Sequence, residues 1–478
     1  MGCGPSAITE TPEGFEYFNL TYHWVDTIRI IHGQSRPMAL IKKAITANWK
    51  PGIGSSFLNK GAVDHELKGR PFVKGASTND MVMCKQMSTC ILEYLLADGW
   101  CLILSADMSR IIDQTTLFFR HYPDRAMGKR KPAQVTCFSF HGTEDIHMLK
   151  TTPELVAAVK GALNDKYPKG IGSVRQLTED CYCIRVNSHP WTSEGQEGMD
   201  ARRMFLEVIR RFQSMGWHFY GTANIHGTSD CVYFVRHPDG NGWMEEGEFA
   251  IVSLNDNDKI RMIDLPNEVV RQVKQVVLAT RGEDAVQRET EHYGTYELKL
   301  KGNPWLAEAQ DVVISRFTVT RMLEVLHSQG WQVHNAVDMT RKMNDKAVFL
   351  LRRCEPRNRR YFCVAPAEID KLRMINAPDS AINVVRDCLD QFYMLGIARE
   401  DTDFYGSFEF KMKGQPWFGR QGNDELFGKS FMTFLLAEMD KAGWVAILAT
   451  DVSAKHIRSE NGPDYPLDTH SWFFGAKI

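Results

Sequence analysis

The first six residues contain the motif with the clearest chemistry. Met1-Gly2-Cys3-Gly4-Pro5-Ser6 matches the pattern for N-myristoylation, in which removal of the methionine frees the Gly2 amine for acylation, and Cys3 stands where a palmitate is often attached. One myristoyl chain binds a membrane only weakly, so the second acyl chain would make the attachment stable. The pattern predicts acylation of Gly2 and Cys3. The alternative is an unmodified Met-Gly start.

A second polar motif recurs along the chain. It reads Asp107-Met-Ser109, Asp338-Met-Thr340 and Asp451-Val-Ser453, with Asn224-Ile-His226 in the matching place of the second repeat. An Asp at a strand end that binds the backbone two residues on explains the motif as a turn. The alternative is a site for a cation or a phosphorylated ligand. If one diverged unit contains an enzyme or ligand site, we expect it to involve Asn224 and His226, which replace the recurrent motif in the second repeat.

Basic side chains are concentrated in two connecting segments, and the equivalent segment between them is acidic. The basic residues are Arg125, Lys129, Arg130 and Lys131 in the first segment, and Arg352, Arg353, Arg357, Arg359 and Arg360 in the second. If neighbouring units face different ways, these segments lie on one side, where each basic residue near an anionic membrane adds about 1 kcal/mol of attraction. The alternative is solvated loops with scattered charge.

Composition and the absence of other motifs argue against several classes of protein. The 57 basic and 59 acidic side chains leave a net charge of −2, whereas nucleic-acid binding needs a concentrated positive surface. The 15 histidines show no metal-ligand spacing, and no phosphate-binding loop or nucleophile elbow occurs. We therefore predict no catalytic residue, metal or cofactor, and no nucleic-acid partner. Eleven cysteines without Cys-x-x-Cys predict free thiols in a reducing compartment.

The element that recurs most regularly is a helix end. An apolar helical stretch ends in Gly-Trp four times, at Trp100, Trp217, Trp331 and Trp444, which are spaced 117, 114 and 113 residues apart. Such regular spacing indicates tandem duplication of one unit. Glycine after the last helical turn takes a left-handed backbone, where a Cβ would be strained. We therefore predict positive φ at Gly99, Gly216, Gly330 and Gly443.

Each unit has the same predicted elements. Two helices, each with one apolar side, alternate with four strands joined mostly by short antiparallel connections. The sequence predicts an α+β fold of four tandem repeats of about 115 residues, each a two-layer sandwich of an antiparallel four-stranded sheet and two helices. The predicted divisions are a flexible, lipidated segment 1–14 and repeat units 15–140, 141–253, 254–366 and 367–478.

The two ends of the chain are expected to meet. A strand at Phe15–Tyr22 lacks the strand that precedes it in the repeat, and a strand at Ser471–Lys477 lacks the strand that follows it. Because proteins seldom expose unpaired apolar edges, we expect these two strands to pair and close the four units into a ring. An open row of units with two covered ends is the alternative.

These features favour a lipid-anchored binding or scaffold module, peripheral on the cytoplasmic face of a membrane, or cytoplasmic if the chain is not acylated. Its membrane contact would use the acyl chains and the basic segments, and no motif identifies a protein partner. The alternative function is an enzyme or small-ligand-binding protein that uses one diverged unit. Convergence of unit-specific polar residues in one pocket would favour this alternative, whereas their spread over an open face would favour the scaffold.

Overall fold

A computed structural model describes residues 7–73, 76–109, 113–125, 133–193, 195–226, 231–237, 247–340, 346, 348–419, 424–453, 456–457 and 465–478. The chain forms four antiparallel sheets of six strands, each accompanied by two helices. In every unit three hairpins are separated by two helices. The α+β class and the fourfold repeat are therefore confirmed, whereas each sheet has six strands rather than the predicted four.

The first two units have equivalent elements. Unit 1 contains β1 (Tyr17–His23), β2 (Thr27–Ile31), α1 (Ser35–Asn48), β3 (Ile53–Asn59), β4 (Ala62–Leu67), α2 (Thr78–Ala97), β5 (Trp100–Ala106) and β6 (Asp113–His121). Unit 2 contains β7 (Gln134–His141), β8 (Asp145–Leu149), α3 (Pro153–Lys166), β9 (Ile171–Thr178), β10 (Cys181–Val186), α4 (Gln196–Ser214), β11 (His218–Ala223) and β12 (Cys231–Arg236).

Units 3 and 4 repeat this order. Unit 3 contains β13 (Phe249–Asn255), β14 (Lys259–Ile263), α5 (Asn267–Arg281), β15 (Val286–His292), β16 (Thr295–Leu300), α6 (Ala309–Ser328), β17 (Trp331–Val337) and β18 (Val348–Arg353). Unit 4 contains β19 (Tyr361–Ala367), β20 (Lys371–Ile375), α7 (Asp379–Phe392), β21 (Ile397–Phe404), β22 (Ser407–Met412), α8 (Asp424–Lys441), β23 (Trp444–Thr450), the short strands β24 (His456–Ile457) and β25 (Tyr465–Pro466), and β26 (Ser471–Ala476).

The first hairpin of each unit lies in the middle of its sheet. In unit 1 the order across the sheet is β3-β4-β2-β1-β6-β5, and the other sheets have the equivalent order. The second hairpin therefore supplies one edge strand and the third hairpin supplies the other. We call β3, β9, β15 and β21 the outer edge strands, and β5, β11, β17 and β23 the inner edge strands.

The sequence prediction missed two of the six strands in each unit, one because it is exposed and polar and the other because it is buried around a charge. The outer edge strand, such as Val286–His292, is mostly exposed and polar, so it has no apolar alternation. The second strand, such as Lys259–Ile263, is largely buried but has a charged residue at its centre. Arg261 there pairs with Glu297 at 2.7 Å inside the protein. Because that arginine interrupts the apolar run, the pattern does not resemble a buried strand.

The strands that we expected to end units at residues 140, 253 and 366 instead begin the next sheet. Gln134–His141 pairs with β8 and β12 of unit 2. Phe249–Asn255 and Tyr361–Ala367 have the equivalent pairings in units 3 and 4. Each sheet is thus formed by one continuous stretch of chain.

The two helices of a unit differ in how they are buried. The shorter helix has one apolar side, which in α5 consists of Val269, Val270, Val273, Val276 and Val277. The longer helix is buried almost all round, as α8 is from Glu425 to Ala437. A helix buried on all sides needs apolar or paired residues all round. The prediction of one apolar side therefore holds for the shorter helices and is wrong for the longer ones.

Contacts between units close the chain into a ring. α2 packs on β7, α4 on β13, α6 on β19 and α8 on β1. Each hydrophobic core combines the helices of one unit with strands of the next; the core around α8, for example, contains Leu104 and Phe118 of unit 1. The inner edge strands contact one another in the same cyclic order around a gap of about 30 Å³, space for about one water. The four inner strands therefore meet in a packed centre.

The ring closes by a contact other than the predicted pairing of terminal strands. β1 pairs with β2 and β6, and β26 pairs with β19 and β23, so the third hairpin completes each sheet from within its own unit. Side chains join units 4 and 1 instead. Arg29 reaches Glu425 at 2.9 Å, and Asn19 donates to the Thr433 hydroxyl at 2.7 Å. Closure is therefore present, whereas the predicted strand pairing is wrong.

The N-terminal segment is bound to the ring more closely than predicted. Ile8 is buried and donates its backbone N–H to the Lys60 carbonyl at 2.9 Å, and Thr9 donates to the Phe392 carbonyl of unit 4 at 3.1 Å. We call Ile8–Thr11 the strap, because it connects unit 1 with unit 4. The expectation of a loose N-terminal segment is therefore wrong for the strap.

The predicted helix ends are confirmed. The backbone φ angles are 89°, 77°, 79° and 87° at Gly99, Gly216, Gly330 and Gly443. Each tryptophan that follows is at or next to the first residue of an inner edge strand. None of the helices in the described ranges is long and apolar enough to cross a membrane.

Candidate functional site

We call each contact between consecutive units a seam and number it by its two units. Every long helix places one buried basic residue at an equivalent position in its seam. These residues are Lys85 in seam 1–2, Arg202 in seam 2–3, Arg316 in seam 3–4 and Lys429 in seam 4–1. A buried charge is costly unless it is paired, so the surroundings of each basic residue indicate what its seam can do.

Seam 3–4 is a neutralised structural contact. The Arg316 guanidinium donates to Asp468 Oδ2 at 2.7 Å, to the Ser471 hydroxyl at 2.8 Å and to the Ser453 carbonyl at 3.1 Å. Both members of the ion pair are almost completely buried. This arginine therefore binds unit 3 to unit 4, and its charge is neutralised by Asp468.

A second buried pair crosses the sheet at the same level in three units. It joins an arginine on the second strand to an acid on the fourth, as Arg29–Asp64 at 2.9 Å, Arg261–Glu297 at 2.7 Å and Arg373–Glu409 at 2.8 Å. In unit 2 the two positions are His147 and Cys183, which lie directly opposite each other on β8 and β10. Seam 1–2 has therefore lost the ion pair that the other units keep.

The basic residue of seam 1–2 lies among side chains specific to unit 2. Lys85 is close enough to His147 and His226 for its charge to lower the pKa of both imidazoles. The Cys231 thiol lies beside it, at the position that Ser471 has beside Arg316. Within the described parts of the chain, Lys85 makes no ion pair with a carboxylate, although it is 3% exposed. Seam 1–2 therefore has a buried lysine that pairs with no described carboxylate, and the pKa of the adjacent Cys231 thiol is lowered, chiefly by its hydrogen bond with Cys137.

Both histidines of this seam are neutral at physiological pH. Burial, with repulsion from Lys85 and its neighbours, lowers the pKa of His147 to about 2. Burial likewise lowers the pKa of His226 to about 3, and His226 Nε2 binds the Pro71 carbonyl of unit 1 at 3.0 Å. His147 is 2% exposed, yet its Nδ1 has no hydrogen-bond partner among the described residues. A buried polar atom without a partner is expensive, and here it leaves one nitrogen for a ligand.

Metal chemistry fits this cluster poorly. Asp145, His147 and Cys183 place ligand atoms within 4.8 Å of one another, and nitrogen, sulfur and oxygen donors suit Zn²⁺. However, both Asp145 oxygens already accept from Arg185, at 2.9 and 3.1 Å. Arg175 lies 3.9 Å from the Cys183 sulfur. Because Arg185 already engages Asp145 and Lys85 lies beside His147, the cluster offers a divalent cation few free ligand atoms.

Nucleophilic catalysis also fits poorly. An active cysteine needs a lowered pKa and a neighbouring base. Burial instead raises the pKa of the Cys183 thiol, and an imidazole with a pKa of about 2 is a weak base. The pKa of the Cys231 thiol is lowered, chiefly by its hydrogen bond with Cys137, but this sulfur is buried away from a substrate. The cluster is thus better suited to binding than to covalent chemistry.

The positions that correspond to Asp145 and His147 border a cleft in seam 3–4. This open cleft of about 300 Å³ is lined in part by Lys371, Arg373 and Tyr405. Asp145 and His147 occupy the places of Lys371 and Arg373 in unit 2, since each pair lies at the same positions of the second strand. Asp145 and His147 therefore have the sheet positions that line this cleft in seam 3–4.

The residues singled out from the sequence are not brought together. Gly2, Cys3, Lys129, Arg130 and Lys131 lie outside the described residues, as does the side chain of Arg125. Arg352 is 8% exposed, Arg353 stacks on Trp331, and Arg359 donates to the Ala476 carbonyl at 2.6 Å. Arg357 and Arg360 are exposed. Successive units make the same contacts around the ring and so face the same way, whereas the basic segments would gather on one side only if neighbouring units faced different ways.

The recurrent Asp motif is a turn in units 1 and 3. Asp107 accepts the Ser109 backbone N–H at 3.2 Å, and Asp338 accepts that of Thr340 at 3.1 Å. In unit 4 the carboxylate of Asp451 binds Lys346 of unit 3 at 2.6 Å. The sequence indicated His226 as the departure from this motif, and the structure places it in seam 1–2.

Sequence reasoning missed Lys85, His147 and Cys183. A signal for His147 was present: the segments Ile146-His-Met-Leu149, Ile260-Arg-Met-Ile263 and Leu372-Arg-Met-Ile375 match residue by residue, which places His147 opposite Arg261 and Arg373. Lys85 has no such signal, because the other units also have a basic residue there.

One domain-family model matches the chain four times, over residues 16–120, 134–235, 248–352 and 360–475. The chain belongs to this family. Each matched segment corresponds to one six-stranded sheet with its two helices, so the family domain is the structural unit. No curated protein and no solved structure matches the chain.

Proposed function

We propose that the protein binds a small anionic ligand in seam 1–2. The observation that supports this proposal is the buried Lys85, which has no carboxylate partner in the described residues and lies near the unpartnered Nδ1 of His147. His147, Cys183, His226 and Cys231, which are specific to unit 2, lie together at this seam.

The ligand class follows from the donors that the seam offers. An ammonium and a neutral imidazole N–H can each donate to oxygen, and hydrogen bonds to a charged group contribute about 1.5–3 kcal/mol each. Phosphate groups and small carboxylates share the required chemistry of a compact anion with several acceptor oxygens. Either one would supply the negative charge that Asp468 supplies to Arg316 in seam 3–4.

Calorimetric titration with inorganic phosphate and with malonate tests the proposal and separates the two ligand classes. We expect one of them to bind the unmodified protein, and Lys85→Met to abolish binding. Lys85→Met should not lower the free energy of unfolding in the absence of ligand, because it removes a buried charge that lacks a counter-ion. Lys429→Met in seam 4–1 is the matched control, and should keep the binding. Binding of neither anion, or equal binding by Lys85→Met, would contradict the proposal.

We also propose that the ring is tethered to a membrane through Gly2 and Cys3 and acts there as a binding module. Two features support this: the acylation motif itself, and the strap, which attaches the residues that follow the motif to seam 4–1. Acyl chains attached so close to a fixed point would hold the ring near the membrane surface. Exposed Arg357 and Arg360 would add electrostatic attraction to anionic lipid.

Metabolic labelling with myristate and palmitate analogues tests the tether. Gly2→Ala should lose both labels and Cys3→Ser only the second, since palmitoylation follows membrane recruitment by the first chain. Unchanged membrane partition of both variants would exclude this function while leaving the anion site unaffected.

A further inference from the structure

The proposed ligand site does not account for the sequences of the outer edge strands. Among the residues that the structure describes, each of β3, β9, β15 and β21 pairs with a strand on one side only. The other side of each strand is a row of backbone N–H and C=O groups that can pair with another chain. Proteins usually block such an edge with charged side chains, which oppose pairing with a second strand.

Two of these strands are blocked in this way. Charged residues lie along β15 and β21 at Arg288, Glu289, Glu291, Arg399, Glu400, Asp401 and Asp403. β9 contains one charge, Arg175. Of the four outer edge strands, all of which lie in the described ranges, β3 alone has no charged residue: its sequence is Ile-Gly-Ser-Ser-Phe-Leu-Asn.

The apolar residues of β3 face solvent. Phe57 is 43% exposed and Leu58 is 73% exposed. The two serines are engaged by their own sheet, because Ser55 donates to Glu66 at 2.7 Å and Ser56 binds His65 at 2.8 Å. β3 is therefore an uncharged edge with apolar side chains free to contact a partner.

Equivalent positions show what β3 lacks. Ser56 lies opposite His65 of β4, and the residues in that place in units 3 and 4 are Glu289 and Glu400. A glutamate there would bring a negative charge from each copy to the paired edge, and like charges close together on paired strands oppose association. The serine removes this obstacle in unit 1.

We propose that β3 pairs antiparallel with β3 of a second copy of this chain across a twofold axis. A twofold contact places the same strand of both copies together, and β3 brings no charged residue to such a contact. The sheets of the two unit 1 domains would form one continuous sheet of twelve strands, with Phe57 and Leu58 adding apolar contact. Because one strand pair buries a small area, we expect a weak, concentration-dependent dimer.

Sedimentation velocity over about 1–200 µM, a range that spans weak dissociation constants, tests the proposal. The unmodified protein should shift from monomer to dimer as its concentration rises. Ser56→Glu, which introduces the residue found in units 3 and 4, should remain monomeric. Val174→Glu is the matched control, because Val174 has the equivalent place on β9, and it should dimerise normally.

Leu58→Lys provides a second variant if Ser56→Glu is poorly folded, and the fold of each variant is checked by circular dichroism. An unmodified protein that stays monomeric over the whole range would overturn the proposal. Loss of dimer in Val174→Glu with an intact dimer in Ser56→Glu would overturn it as well.

Discussion

The glycines that end the long helices differ in how much space surrounds them. Gly330 and Gly443 have similar left-handed backbones, with φ of 79° and 87°. A Cβ at Gly330 would lie 2.8 Å from the Cys354 carbonyl oxygen, whereas a Cβ at Gly443 would meet no atom within 4 Å. The two positions therefore separate backbone strain from steric clash.

We predict that Gly443→Ala lowers the free energy of unfolding by about 1–2 kcal/mol, the cost of a left-handed backbone for a residue with a Cβ. Gly330→Ala should cost more, because the Cys354 carbonyl must also move. Urea unfolding followed by tryptophan fluorescence measures both. Equal losses would mean that the chain near Cys354 relaxes at no cost.

Residue-level prediction succeeded where the cause is local. The left-handed glycines follow from the end of the helix that precedes them, which is readable in the sequence. The role of His147 depends instead on Lys85, which is in another unit and far away along the chain. The hydrophobic periodicity of a short stretch of sequence does not reveal that His147 and Lys85 are neighbours. Comparison of the four repeats does contain part of it, because one unit replaces an arginine by histidine.

The strap is an element whose effect on the ring can be measured. Ile8 is 6% exposed and packs against Gly61, so the strap covers part of seam 4–1. Ile8→Asp would place a charge in this apolar contact. We predict faster amide hydrogen exchange at the β3–β4 turn and at the C-terminal end of α7, where the strap is bound. Glu10→Lys, at an exposed position of the strap, is the control. Unchanged exchange in Ile8→Asp would show that the strap contributes nothing to the closure of seam 4–1.

Elements were predictable where one face meets solvent and the other meets a core. The short helices satisfy this condition, and their apolar spacing identifies them. The outer edge strands have little contact with a core, and the long helices have cores on nearly every side, so neither shows a clear period. The sequence does not show that each sheet is buried on both faces, because this burial arises only when the ring closes.

The whole molecule is expected to lose stability in mild acid. Burial lowers the pKa of several histidines far below the usual value of about 6.5. These values are about 2 for His147, about 3 for His32 and His226, and about 4 for His327, His334 and His470. The unfolded chain takes up protons at these sites near pH 6.5 while the folded chain does not. Stability is therefore full above about pH 6.5 and falls as the pH decreases toward 4.

Each such histidine contributes a loss of about 1.4 kcal/mol per pH unit in that window. Differential scanning calorimetry should show the melting temperature falling steadily between about pH 6.5 and 5, above the range in which ordinary carboxylates titrate. His32→Gln should reduce the slope, because it removes one of the titrating groups. A melting temperature that is constant between these pH values would contradict the prediction.

The shared seams also bear on how a single binding site can arise in a symmetric molecule. Four separate copies of one unit could assemble into the same ring as a homotetramer, because each unit offers a long helix to one neighbour and a sheet to the other. In such a tetramer every substitution would appear at four seams at once, and replacing Arg261 by histidine would disrupt all of them together. In one continuous chain the seams are free to differ. Three can keep their buried ion pairs and hold the ring closed, while seam 1–2 exchanges its pair for His147 and Cys183.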